Sequence, residues 1–207
     1  MFSGIVSAVG KVAQLPEGLP GRLVLSHPGG WGGLQTGASV AVNGCCLTAV
    51  GSASDRVEVE VVPQTVRLTN LGRLVEGDPV NLEASLKLGD PVGGHLLTGH
   101  VDGTGRVLEI RPDANSVTLK LGVPAAVARY CVPQGSLAVD GCSLTLVEVD
   151  DLPTGGGEVT VCLIPHTLAQ TVAAGYRVGT EVNLEADHLA KLVERLASPL
   201  LGERRGR

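Results

Sequence analysis

The chain reads as mainly β: two tandem six-stranded antiparallel β-barrels related by internal duplication, plus a C-terminal α-helix. Three observations predict this. The first is a repeat. Asn43-Gly44-Cys45-Cys46-Leu47-Thr48 returns as Asp140-Gly141-Cys142-Ser143-Leu144-Thr145, led by Ser39-Val40-Ala41-Val42 and Ser136-Leu137-Ala138-Val139. Pro63-Gln64-Thr65 and Gly77 through Ala84 return as Pro165-His166-Thr167 and Gly179 through Ala186. A weaker echo sets Gly4, Val6, Gly10 and Val12 against Gly99, Val101, Gly105 and Val107. Self-similarity at a fixed offset decides the domain count. It divides the 207 residues into a first unit at 1–94, a second at 95–186 and a tail at 187–207, each unit long enough for its own core.

The second observation is composition. With 43% hydrophobic residues, 18% charged and 29 glycines, the chain is globular and rich in tight turns. The third is periodicity: Val recurs in short alternating runs between polar turns, which suits half-buried strands. Six short strands per copy, closed into a barrel, leave no free edge.

Taken in order, residues 1–12 are compatible with an opening strand, and Arg22-Leu23-Val24-Leu25 with a second. His27 to Gly33 is a glycine-rich loop that reads as neither helix nor strand. Ser39 to Val42 enters the Asn43-Gly44 turn, where positive φ is tolerated, and Cys46 to Val50 resumes as strand. Arg56 to Val62 alternates Val57, Val59 and Val61 with charged residues. Thr65 to Asn70 makes a short crossing, and Gly77 to Leu82 enters the last strand of the copy. In the second copy Gly99 to Ile110, Ser116 to Leu121, Ser136 to Val139, Ser143 to Val149 and Glu158 to Leu163 read as strands. Asp150 to Gly157 reads as a loop, and Pro124 to Cys131 as a short helix with proline at a tolerated first position. Outside the repeat, Asp187 caps a helix with Leu189, Leu192, Val193 and Leu196 on one face, closed by Pro199. That helix either packs back on a barrel or joins subunits. The tail from Gly202 is expected to fray.

A formal net charge of −5 argues against non-specific nucleic-acid binding. No apolar run reaches the roughly 18 residues of a membrane span, and the N-terminus lacks the order of a secretory signal. Five cysteines read as reduced thiols and place the protein in the cytoplasm. No spacing of Cys or His supports a metal site.

Differences between the copies mark where work is divided. Cys46 aligns with Ser143, Ile5 with His100, and Phe2 with Leu97. A thiol can serve as nucleophile or base once its pKa falls, whereas Cys45, Cys142 and Cys162 are expected as small core residues. The strand period puts Cys45 and Cys46 on opposite faces. His100 and His95 suit proton transfer, with a structural hydrogen bond as the competing reading for each. Ser39/Ser136, Thr48/Thr145 and Thr65/Thr167 supply matched hydroxyls that suit two copies of a polyhydroxylated ligand.

Met1-Phe2-Ser3-Gly4-Ile5-Val6, Asn43 to Thr48, Gly93-Gly94-His95, Gly99-His100-Val101-Asp102-Gly103, Asp140-Gly141, Ser143-Leu144-Thr145, Ile164-Pro165-His166-Thr167-Leu168 and the Ala190 to Arg195 helix together resemble the riboflavin synthase alpha-chain family over essentially the whole length. The resemblance implies two lumazine-binding barrels in a homotrimer held partly by the C-terminal helix. It implies dismutation of two 6,7-dimethyl-8-ribityllumazine molecules to riboflavin and 5-amino-6-(D-ribitylamino)uracil, without metal or redox cofactor. Association with lumazine synthase, which makes the substrate, is left open. Carried over residue by residue, it makes Cys46, His100 and Ser39 catalytic. It places substrate contacts at Phe2, Gly4, Ile5, Val6, Leu47, Thr48, Val62, Gln64 and Thr65, and at Gly99 and Val101. For the second substrate it implies Gln134, Asp140, Ser143, Leu144, Thr145, Leu163, Ile164, Pro165, His166 and Thr167. Three departures stand out: Ser3 for the usual Thr, Gln134 for a common Lys, and Gly29 to Gly33 for a more helical segment. The rival readings are a non-catalytic antenna relative that binds one chromophore, a flavin barrel of an electron-transfer enzyme, and a trimeric scaffold without ligand.

Overall fold

The computed structural model describes residues 1–16, 18–28, 34–153 and 155–198. The Gly29 to Gly33 stretch, Pro199 and the tail from Gly202 lie outside them.

Twelve strands form two closed barrels. The first comprises β1 (Ala8–Gln14), β2 (Gly21–Ser26), β3 (Ser39–Val42), β4 (Cys45–Ser52), β5 (Arg56–Val61) and β6 (Pro79–Ala84), closed in the order β1-β2-β5-β4-β3-β6. The second, β7 (Gly103–Asp113), β8 (Ser116–Val123), β9 (Ser136–Val139), β10 (Cys142–Asp151), β11 (Gly157–Leu163) and β12 (Glu181–Ala186), closes in the same cyclic order. All pairings are antiparallel, and alternate residues fill each interior: Cys45, Leu47 and Ala49 from β4, with Val57, Val59 and Val61 from β5. Burying such a set is what holds a barrel this small together.

Several elements differ from the sequence expectation. The opening segment is extended only to bridge Phe2 with Leu97, and β1 proper starts at Ala8. Likewise β7 starts at Gly103. The Thr65 crossing is a helix, α1 (Pro63–Leu68), started by proline and followed by a 3₁₀ turn at Asn70–Arg73; α3 (Pro165–Gln170) and Val172–Gly175 repeat it. Thr69 and Thr171 form both junctions: each hydroxyl donates to the carbonyl four residues back and accepts the backbone N–H two residues on. α2 is shorter than expected, Ala125–Ala128. β10 and β11 extend into the Asp150 loop as far as Asp151 and from Gly157.

The duplicated hairpin tips dock against each other. Asn43 and Asp140 have φ of 44° and 45°, Gly44 and Gly141 76° and 79°, the positive-φ turn that Asn-Gly and Asp-Gly favour. A Cβ on Gly44 would lie 2.6 Å from Gly141 N, so contact between the tips requires glycine as well as the turn. Around them is a buried polar lattice. Asn81 N donates to Asn43 Oδ1 and Asn183 N to Asp140 Oδ1, at 2.8 and 2.7 Å. Crosswise, Asn183 Nδ2 donates to Asn43 O and Asn81 Nδ2 to Asp140 O.

α4 (His188–Ala197) is capped by Asp187, whose side chain accepts from Leu189 N. Its polar residues reach the second barrel: Lys191 to Asp102, and Glu194 to Tyr130 and Arg129. Leu189, Leu192, Val193 and Leu196 are left exposed, the last at 76%. The helix therefore does not pack back on its barrel through its apolar face.

Candidate functional site

The segments that precede the two barrels lie side by side. Phe2 N donates to Leu97 O at 2.8 Å and Leu97 N to Phe2 O at 3.0 Å. Their side chains are buried with Ala41 and Ala138, and Cys46 packs against this cluster. Phe2 is only 1% exposed and forms part of the packing beneath Cys46.

Each segment then crosses to the other barrel. Gly99 O accepts from Cys46 N and Gly4 O from Ser143 N, both at 2.8 Å. Added Cβ atoms would lie 2.5 Å from Cys46 Cβ and 2.6 Å from Ser143 Cβ, so no bulkier residue fits either crossing. Val101 packs against the first barrel's core. The structure thus brings His100, exposed and next to Gly99, to the barrel of Cys46. Cys46 and Thr48 face outward from β4, and Ser39 stands opposite Thr48 in the β3–β4 register. On the second barrel Ser143, Thr145 and Ser136 repeat the layout, with exposed Ile5 in the place of His100.

Cys45 points into the core, as the strand period requires, and burial pushes its thiol up to about 12. Cys142 is partly buried, and burial pushes its thiol up to about 11. Cys162, expected in the core, is exposed, because β11 turns that position outward. Leu47 and Leu163 are 5% and 1% exposed inside the barrels, and Leu144 packs on the second core. Their side chains fill the barrels, which leaves their backbone groups for any contact at the surface. Thr167 borders, with Cys142, Leu144 and Leu163, a cavity of only about 10 Å³, too small for a substrate. Val62 and Ile164, each 55% exposed, stand in front of α1 and α3, with Gln64, Pro165 and His166 exposed beside them and Thr65 half-buried. Gly4 is buried at its crossing, and Val6 is half-buried. Gln134 is exposed at φ 64°, and its N–H donates to Leu146 O.

Asp140 is enclosed between the barrels. It is 2% exposed, and Asn70 Nδ2, Asn183 N and Tyr176 O–H donate to its carboxylate at 2.9, 2.7 and 2.6 Å. Through these bonds it ties the two barrels together. A groove of about 310 Å³ beside it, lined by Arg73, Tyr176 and Glu181 among others, contains none of Cys46, His100 or Ser143.

One residue of the motifs was not assigned to the site from the sequence. His95 Nδ1 lies 2.6 Å from Ser143 Oγ, and Nε2 is buried without a hydrogen-bond partner among the described residues. Burial lowers its pKa, opposed by Asp187 and Glu185. In the tautomer with Nδ1 bare, a neutral imidazole here can accept the serine proton. Copy comparison could not reveal it, since the alignment of the copies starts at Phe2 and Leu97.

Residues 3–85 and 98–187 each match the family model of the lumazine binding domain. Two such barrels in one chain, with matched hydroxyls on both and Cys46 on one where Ser143 stands on the other, define a tandem lumazine-binding protein. Among curated relatives, riboflavin synthase of Mycobacterium bovis is 41% identical over 199 residues, covering 95% of this chain and 98% of that protein. Riboflavin synthase of Actinobacillus pleuropneumoniae is 36% identical, covering 94% and 88%. The chain belongs to the riboflavin synthase family. Of solved structures, LumP complexed with riboflavin matches with a TM-score of 0.78 at 23% identity, over 90% of this chain and 99% of that one, a likeness of fold.

Proposed function

We propose that this chain is a riboflavin synthase, a transferase that converts two 6,7-dimethyl-8-ribityllumazine molecules into riboflavin and 5-amino-6-(D-ribitylamino)uracil. The observation that carries the reading is the unequal pair of sites on equivalent barrels: Cys46 with Thr48 and the crossing His100 on one, Ser143 with Thr145 and His95 on the other. A protein that only held two ligands has no need for this division.

The lumazine ring withdraws electrons, so its C7 methyl is acidic enough for a mild base and C7 itself is electrophilic. On the first barrel Cys46 and His100 assist proton movement and nucleophilic addition, supported by Ser39 and Thr48. On the second, Ser143 and Thr145 hold the other ring, with His95 available to the Ser143 proton. Bringing two rings face to face removes up to roughly 7–11 kcal/mol of the bimolecular barrier.

Both sites are open faces of a barrel, and Ile5, Val62 and Ile164 of the matched motifs are exposed. A second copy covering them explains these apolar residues and excludes water from the reaction. The outward Leu189, Leu192, Val193 and Leu196 give α4 a surface for the same purpose. We therefore place the active unit in a homotrimer with each site between subunits. Five unpaired thiols fit a cytoplasmic protein.

The test is incubation of the purified protein with 6,7-dimethyl-8-ribityllumazine alone. One riboflavin per two substrates consumed is the expected result, with Cys46→Ser and His100→Gln each lowering turnover about a hundredfold. Tight binding without riboflavin would instead mark a chromophore carrier, and full activity in both variants would remove the assignment of roles.

A further inference from the structure

The repeat contains one acidic pair that the reaction chemistry does not use. Glu83 on β6 and Glu185 on β12 are 6% and 3% exposed, each in a carboxylate–alanine–nucleophile row across three strands: Glu83–Ala41–Cys46 and Glu185–Ala138–Ser143. Neither ends on the nucleophile of its own row. Glu185 Oε1 accepts from Thr98 N and Oγ1, both at 2.7 Å, and Oε2 from Gly99 N at 3.0 Å. Glu83 accepts in the same way from Ser3 N, Ser3 Oγ and Gly4 N at 2.7, 2.8 and 3.2 Å.

Each carboxylate thus grips a segment at the point where it leaves for the opposite barrel. Past the grip on Thr98 and Gly99, the carbonyl of Gly99 meets Cys46 N and His100 follows. The segment returns to its own barrel at Asp102, whose N–H donates to Leu184 O at 2.8 Å. The first crossing ends similarly at Ser7, which donates to Leu82 O at 2.9 Å. Held at both ends by one barrel, the strip between is laid across the site of the other.

We propose that Glu185, in the second barrel, is a positioning residue for the Cys46–His100 site of the first, and that Glu83, in the first, positions the Ser143 site of the second. A carboxylate accepts all three donors of its segment, whereas glutamine at that place turns an N–H₂ toward Gly99 N–H or the Thr98 donors. The glutamine variant therefore frees the crossing while keeping the volume of the side chain.

The experiment measures alkylation of Cys46 by iodoacetamide in the full-length protein, with modification assigned by peptide mass spectrometry. Glu185→Gln is expected to speed Cys46 modification about tenfold, through the cover lost with Gly99, and to lower kcat more than it raises KM. Glu83→Gln is expected to change the Cys46 rate less than twofold, although Glu83 shares the row of Cys46. A role confined to local packing makes the opposite demand, so a larger effect from Glu83→Gln, or none from Glu185→Gln, overturns the proposal. If Glu185→Gln does not fold, Thr98→Val, which loses one of the three bonds, must shift the Cys46 rate in the same direction, and no shift overturns it. The role in turnover rests on the riboflavin synthase reading. The thiol rates do not, and a protein that makes no riboflavin still reports them.

Discussion

Replacing Asp140 by Asn tests how the two barrels are joined. Asp140 is fully enclosed, and burial raises its pKa from 3.8 to about 6 against the lowering effect of its three donors. A carboxyl whose folded pKa lies above its unfolded one binds its proton more tightly in the native state. Its contribution is therefore fully present below the unfolded value of 3.8 and is lost as pH rises through about 6. The interval corresponds to on the order of 3 kcal/mol, of which about 2 to 3 kcal/mol falls between pH 4 and 8. Asparagine keeps an acceptor for Asn183 N and Asn70 Nδ2 and turns its own N–H₂ to the Tyr176 hydroxyl, which can accept. Urea unfolding of both proteins across pH 4–8, with m-values checked for constancy, should show the wild type losing about that much stability relative to Asp140→Asn. The variant should be at least as stable at pH 8. Buried Glu83, whose pKa is also raised by burial, is common to both proteins and cancels in the difference. Parallel pH profiles, with the variant less stable throughout, would show that the donors outweigh the loss of solvation and would refute the reasoning.

Two further outcomes follow from the same geometry. Leu192→Glu combined with Leu196→Glu on α4 should leave the barrels folded but dissociate the proposed trimer, seen by sedimentation, with turnover falling in parallel. Covering these two side chains, now 46% and 76% exposed, stabilises association by about 1–2 kcal/mol each. Gly99→Ala places a Cβ 2.5 Å from Cys46 Cβ at φ +79°. The left-handed backbone alone costs about 1–2 kcal/mol, lowering Tm by about 2–8 °C. Riboflavin formation should drop much further than stability does.

Three further differences between the copies, Asn43/Asp140, Asn70/Val172 and Leu74/Tyr176, are paired in space. Asp140 sits where Asn70 and Tyr176 supply donors. Around its counterpart Asn43 the equivalent positions are Leu74 and, from the other copy, Val172, and neither side chain carries a hydrogen-bond donor. A buried charge is tolerable only on the first of these sides.

The duplication, the barrel class, the Asn-Gly and Asp-Gly turns, the opposed faces of Cys45 and Cys46 and the Asp187 cap were all legible from the amino-acid order. Each depends on local periodicity, turn chemistry or self-similarity. The crossing of Gly4 and Gly99, the enclosure of Asp140, the His95–Ser143 pair and the outward apolar face of α4 were not. Each sets residues from distant parts of the chain, or from opposite barrels, against one another. Only the close packing of the two barrels decides which groups meet there, because strand period says which way a side chain points but not what lies in front of it.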